Sequence, residues 1–117
     1  MLPKINRLRK KKEIDRVFAK GKGLREDYLS LRAAQNGLDS TRFCFIVSHR
    51  VSKDAVGRNK IKRRLREISR SLMSRLKTGY DIVIISSPGL KDRDFWEIKD
   101  NLETLFSRAG LTKAKTA

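Results

Sequence analysis

The sequence predicts a single α+β domain with elements in the order α-β-β-α-β-α, and three observations carry that prediction. From Arg58 to Leu76 the apolar residues Ile61, Leu65, Ile68, Leu72 and Leu76 recur at steps of four and three, the stripe of an amphipathic helix. Tyr28 to Ala34 alternates with period two, as a half-buried strand does. Asp81 to Ser86 is a continuous apolar, β-branched run, as expected of a strand inside a sheet. At 117 residues and 38% hydrophobic, the chain has enough material for one core and too little for two.

The first helix starts near Lys11, where Ile14, Val17 and Phe18 share a face, and it is stopped by Gly21 and Gly23. In the strand that follows, Leu29, Leu31 and Ala33 make one face and Tyr28, Ser30 and Arg32 the other. Asn36-Gly37 is a turn signal and leads to a second strand from Arg42 to Ser48, so the two strands are expected to pair as a hairpin. On that second strand Phe43, Phe45 and Val47 oppose Cys44, Ile46 and Ser48, giving the sheet one oily and one mixed side. His49 to Gly57 is a polar, basic loop, with a further short strand possible near Arg50. The long helix then runs from Arg58 to about Lys77 and is ended by Gly79. The run from Asp81 is expected to be central in the sheet, and Ser87-Pro88-Gly89 breaks it. From Asp92 or Asp94 a last helix carries Phe95, Ile98, Leu102, Leu105 and Phe106 at helical spacing. The domain is expected to occupy residues 1–108, followed by a disordered basic tail over 109–117.

Charge is the strongest functional signal. Lys and Arg number 29 against 13 Asp and Glu, a formal charge of +16 with a pI near 10.7. At about 100° per residue, Lys62, Arg63, Arg66 and Arg70 fall opposite the apolar stripe of the long helix, and Lys62, Arg66 and Arg70 align at i, i+4 spacing, where like charges repel. Glu67 alone relieves them within the helix. A partner that supplies dense negative charge explains such a face, and a phosphate backbone is the densest source. No apolar run is long enough to span a bilayer, and the helix offers neither Trp nor Phe to lipid, so a membrane partner is not expected. The basic N-terminus lacks the apolar segment of an export signal, and the lone Cys44 forms no internal disulfide, which fits a cytoplasmic protein.

Catalysis by the chain itself is hard to assemble. One histidine, His49, and one cysteine make neither a nucleophile pair nor a zinc cluster, and no glycine-rich phosphate loop is present. Asp92, Asp94, Glu97 and Asp100 are the one acidic concentration, and they read as the first turn and solvated face of the last helix, where the macrodipole favours acids. Cations and aromatics are what remain. Phe18 and Tyr28 are candidates for a stacking platform for unpaired bases, with Arg32 and Arg50 supplying phosphate contacts. The alternatives are that Phe18 is core and that Tyr28 covers the sheet edge.

Several segments together resemble the bacterial ribonuclease P protein family: RLRKKKEIDRVFAKG near the start, Ser48-His49-Arg50 as the second strand ends, RNKIKRRLRE from Arg58, and YDIVIIS from Tyr80. The resemblance covers roughly residues 7 to 108. It implies a two-layer α/β sandwich, like the second domain of a small-subunit ribosomal protein, with the basic helix in an unusual left-handed βαβ crossover. It also implies a function: joining a large catalytic RNA, with no further protein partner, in an endonuclease that removes the 5′ leader of precursor tRNA at Mg2+ ions held mainly by the RNA. By position, the resemblance assigns Arg58, Asn59, Lys60, Lys62, Arg63 and Arg66, with Arg70 continuing their face, to the catalytic RNA. It assigns Ile14, Phe18, Ser30, Arg32, Ser48 and Arg50, beside Tyr28, to a cleft for the leader. The chain departs from the family pattern at Ile14, where an aromatic is common, at His49, where a lysine is common, and at Ser86-Ser87, where a basic pair is common. A ribosomal or ribosome-assembly protein would share the charge and size, and a self-sufficient nuclease is opposed by the missing acid cluster.

Overall fold

The computed structural model describes residues 2–113. Helix α1 (Lys11–Lys20) is followed by strands β1 (Lys22–Glu26), β2 (Leu29–Gln35) and β3 (Arg42–Ile46), helix α2 (Ala55–Leu72), strand β4 (Tyr80–Ser86) and helix α3 (Phe95–Arg108). The sheet order is β1-β2-β4-β3: β4 runs antiparallel to β2 and parallel to β3, so β3, α2 and β4 form a βαβ unit. The α+β fold expected from the sequence is therefore present, with a central β4, and helices cover both faces of the sheet, α2 and α3 on one and α1 on the other.

Two cores flank the sheet. On one side Leu29, Leu31, Phe43, Ile82 and Ile84 meet Ile61, Leu65, Ile68 and Leu72 of α2 and Ile98, Leu102, Leu105 and Phe106 of α3. On the other, α1 sets Val17 on Val83 with Leu8, and Ile14, Cys44, Ile46 and Ile85 pack around them. Gly21 is needed where α1 ends against β2, since a Cβ there would stand 2.6 Å from the Val17 carbonyl oxygen and 2.8 Å from that of Ala33.

The expected hairpin between β2 and β3 does not form, because β4 lies between them. Being apolar on both faces, β4 is the strand with most to gain from two neighbours, and the Asn36–Thr41 connection straddles its start instead of closing a turn. The Asn36 N–H donates to Gly79 O at 2.9 Å, the Thr41 hydroxyl donates to Lys77 O at 2.8 Å, and the Tyr80 N–H donates back to that hydroxyl at 3.2 Å. β2 pairs on its other side with β1, a strand absent from the sequence expectation. Its sequence, KGLRE, has a single apolar side chain, the charged composition that protects an edge strand and hides it from a hydrophobicity pattern.

No strand forms near Arg50; the residues there turn, with the Val51 N–H donating to Ser48 O at 3.1 Å. That turn delivers Asp54 as the cap of α2, its carboxylate accepting from the Gly57 N–H at 2.7 Å, so the helix starts about a turn before Arg58. Asp94 caps α3 in the same way through the Glu97 N–H. The tail also differs from expectation. Gly110, at φ 72°, reverses the chain and buries Leu111, whose carbonyl accepts from the Lys77 N–H at 2.7 Å, while the Lys113 N–H donates to Arg75 O. Residues 109–113 thus pack on the body, and 114–117 lie outside the described residues.

One buried charge ties three elements together. Asp81, at the start of β4 and fully buried, accepts from Arg42 Nε at 2.8 Å and Nη2 at 2.7 Å and from Asn36 Nδ2 at 2.9 Å. Arg42 also pairs with Glu13 of α1 at 2.8 Å, and these acids hold its guanidinium well above the ordinary arginine range. Removing one partner strands the other in a low dielectric. Arg42→Ala should therefore cost about 3–5 kcal/mol of stability by chemical denaturation, whereas Glu13→Gln, on the half-exposed side, should cost at most about 1 kcal/mol.

Candidate nucleic-acid interface

α2 presents its cations away from the core that Ile61, Leu65 and Ile68 anchor. Asn59, Lys60, Arg63 and Arg70 are exposed, and Lys62 and Arg66 are half-buried toward β3. Arg58 turns back on the protein instead. Its Nη1 donates to Ser52 O at 3.1 Å and Lys53 O at 2.8 Å, so it holds the turn that starts the helix. Gly57 leaves room there for the Ser52 hydroxyl, which a Cβ would displace. Among the described residues, no cation of α2 forms a salt bridge, while arginines elsewhere pair with Glu13, Asp81, Glu103, Glu97 and Glu26. The like-charge repulsion along the helix is therefore offset by no ion pair, only by the charge of Glu67 within the helix.

The second surface lies between α1 and the sheet. Phe18, Gly23, Ser30, Arg32 and Ile85 line an open cavity of about 400 Å3. Phe18 is 38% exposed, which rules out the core reading of that ring. Arg32 is not a free phosphate ligand. Its Nη1 donates to the carbonyls of Phe18 and Gly21, both at 3.3 Å, and its guanidinium stands 5.4 Å from the Phe18 ring centre, so it clamps the last turn of α1 and the ring that turn carries.

Phe18, Ser30 and Arg32 are thus brought together, and Gly23 and Ile85 join them. Gly23 sits on the unforeseen β1, and Ile85 is one more apolar residue in an apolar run, so neither gave a signal. Ile14 packs into the small core under α1 and is not among the residues lining the cavity. Ser48 and Arg50 are exposed on the turn after β3 and stand outside that lining too. Tyr28, expected to stack beside Phe18, does not do so. The turn at Asp27, at φ 50°, breaks the alternation of β2, and the Tyr28 ring packs with the large core under the Arg93 guanidinium, 4.5 Å from the ring centre, with its hydroxyl accepting from Arg93 Nη2 at 2.8 Å.

His49 is exposed on its turn, and the acids before and within α3 serve the helix start, Asp94 as cap and Glu97 facing Arg93 at 3.5 Å. Among the described residues no group of three or more His, Cys, Asp or Glu gathers to hold a metal ion, and no helix is long and apolar enough to cross a membrane.

Comparison with known proteins gives one consistent answer. The family profile described as Ribonuclease P matches residues 2–110. A ribonuclease P protein component from Pseudanabaena sp. is 40% identical over 110 residues, spanning 93% of this chain and 95% of that protein, and the one from Thermotoga maritima is 35% identical over 106 residues, spanning 87% and 90%. Among solved structures, the Staphylococcus aureus RNase P protein superposes with a TM-score of 0.84 at 28% identity, covering 92% of this chain and 98% of that one. The Thermotoga maritima protein superposes at 0.79 and 33% identity, covering 87% and 96%. A match to this profile along nearly the whole chain, in a fold whose cation-bearing helix lies unpaired at the surface, establishes that the chain belongs to the ribonuclease P protein family.

Proposed function

We propose that this chain is the RNA-binding protein subunit of a ribonuclease P, that the basic face of α2 docks on the catalytic RNA, and that the cleft beside α1 holds the 5′ leader of precursor tRNA. The observation that carries the reading is the unpaired cation face of α2 in a chain of this family. Asn59, Lys60, Lys62, Arg63, Arg66 and Arg70 engage the phosphate backbone, the cations among them releasing counterions as they do so, while Arg58 fixes the angle at which the helix leaves its turn. In the cleft, Phe18 offers a stacking face to an unpaired base, the Ser30 hydroxyl a hydrogen bond, and Arg32 the clamp that keeps Phe18 in place. Arg32 is a positioning residue in this scheme.

The chain supplies orientation, and the hydrolytic chemistry belongs to the RNA and its Mg2+. Such a subunit works in the cytoplasm with precursor tRNA as the holoenzyme's substrate and requires no further protein partner. The test is reconstitution. Protein freed of nucleic acid should leave precursor tRNA intact, and addition of the catalytic RNA with Mg2+ should yield a single 5′ cut. Multiple-turnover cleavage at that junction by RNA-free protein would overturn the reading.

Two substitutions probe the surfaces separately. Lys60, Arg63 and Arg70 changed together to alanine should weaken binding to the catalytic RNA and lower the slope of log affinity against log salt by about 1 for each phosphate left without its cation, with helicity by circular dichroism unchanged. Phe18→Ala should cost about 1–3 kcal/mol in affinity of the holoenzyme for precursor tRNA, leave mature tRNA binding unaffected, and shift the protein's melting temperature little, as suits a ring at the surface.

A further inference from the structure

The segment before α1 is fastened along the outer edge of β3. Leu2 and Leu8 are buried, the Leu8 N–H donates to Phe43 O at 2.8 Å, Arg7 makes a parallel bridge to Phe43, and Asn6 Nδ2 donates to Thr41 O at 2.7 Å. The pairing ends with that bridge. Next to it, between the segment, β3 and α2, opens a cavity of about 350 Å3 lined by Arg7, Arg9, Lys62 and Arg66 together with Phe45 and Cys44; Arg7 Nε donates to Leu2 O at 2.9 Å and so holds the segment's own backbone. No carboxylate lines it, and none of its four cations takes part in a salt bridge among the described residues.

The two cationic walls come from distant parts of the chain and are brought face to face by the fold, so their repulsion is imposed by tertiary structure and calls for an anion between them. The floor narrows the choice of anion. The Phe45 ring lies parallel to Phe43 with centroids 6.2 Å apart, and strand alternation turns the Phe45 N–H and C=O to the same open edge that Phe43 uses for Leu8. A cavity of this size, with an aromatic floor and free edge groups, suits a splayed nucleotide and is too small for an A-form duplex.

We infer that this cavity seats one unpaired nucleotide of an RNA strand, its phosphate between Arg9, Lys62 and Arg66, with Arg7 fixing the segment that carries Arg9, and its base against the Phe45 edge of the sheet. The inference rests on the reading of α2 as an RNA-docking helix and adds a second wall to it, so that RNA clasps the N-terminal segment onto β3.

Cys44, the only cysteine in the chain, lines the cavity and serves as its reporter. Burial pushes its thiol up and Lys62 partly offsets this, so alkylation by N-ethylmaleimide is best followed at a mildly alkaline pH. Saturating the full-length protein with the catalytic RNA should slow labelling roughly tenfold. A single-stranded oligoribonucleotide should protect Cys44 where a duplex of the same length does not, and Arg9→Ala should abolish that protection. Arg9→Ala and Lys62→Ala should each weaken catalytic-RNA binding several-fold and lower the salt slope by about 1, while Lys91→Ala, on the exposed turn before α3, should change neither. Labelling at the free rate in the saturated complex, equal protection by duplex, or wild-type affinity of Arg9→Ala overturns the nucleotide seat and leaves α2 docking standing. Unweakened binding of the Lys60, Arg63 and Arg70 triple variant removes the docking reading, and the seat with it.

Discussion

Ile82, Val83 and Ile84 give β4 no side that water can wet: all three are buried, Ile82 and Ile84 toward α2 and α3 and Val83 toward α1. A strand of that kind must be covered on both faces and paired on both edges, and the rest of the molecule follows from meeting the demand. It places β2 and β3 on either side and forces the connection between them to cross the start of β4. It also sends α2 away from β3 and back as a parallel crossover, and makes α1 a cover for the second face. Because the two covers lie on opposite faces, the cation-bearing helix and the Phe18 cleft cannot merge into one surface.

Apolar burial fixes which faces are covered; a buried charge fixes how the elements register. Asp81 is the first buried residue of β4, and a carboxylate there is tolerable only with its oxygens taken up by Arg42 and Asn36. A slip of β3 against β4 would carry Arg42 away from it and leave both charges unpaired. Through Glu13 the same guanidinium reaches α1, so the wall of the cleft is referenced to the centre of the sheet. Arg32 completes the arrangement from the other end of α1, where it holds the carbonyls of Phe18 and Gly21.

Legibility in the sequence tracked how local each determinant is. Helix α2, β4 and α3 could be read because their patterns are long and period-specific, whereas the start of α3 stayed open between Asp92 and Asp94 because either acid can stand at a helix start. The strand order could not be read, since pairing depends on a competition for β4 that no window contains. β1 was hidden by its charges, and Leu111 by its basic surroundings. Of the candidate contacts, Arg63 and Arg70 were legible as exposed cations from helical geometry alone, whereas Lys62 and Arg66, placed on the same face, turn half-buried toward β3, and Lys60 came from the family resemblance. The roles of Arg58 and Arg32 were not legible, because a guanidinium written as a phosphate ligand and one folded back onto backbone carbonyls look the same in a sequence. Tyr28 failed for a related reason: the alternation of β2, which starts at Leu29, was extended back by one residue into the turn formed by Asp27 and Tyr28. The cavity walled by Arg7 and Arg9 lay further still from local reading, since it joins the start of the chain to the middle of α2.

If the sheet holds apart a surface for the catalytic RNA and one for the leader, cross-linking from each side of the assembled holoenzyme will tell them apart. In a Cys44→Ser background, a photoreactive benzophenone is placed at Gly23→Cys, which lines the Phe18 cavity, or at Asn59→Cys, which is exposed on α2. Irradiated with catalytic RNA and precursor tRNA, the probe at position 23 should attach to leader nucleotides and the probe at position 59 to the catalytic RNA. Attachment of both probes to the same RNA segment, or of the position 59 probe to the leader, would contradict the account.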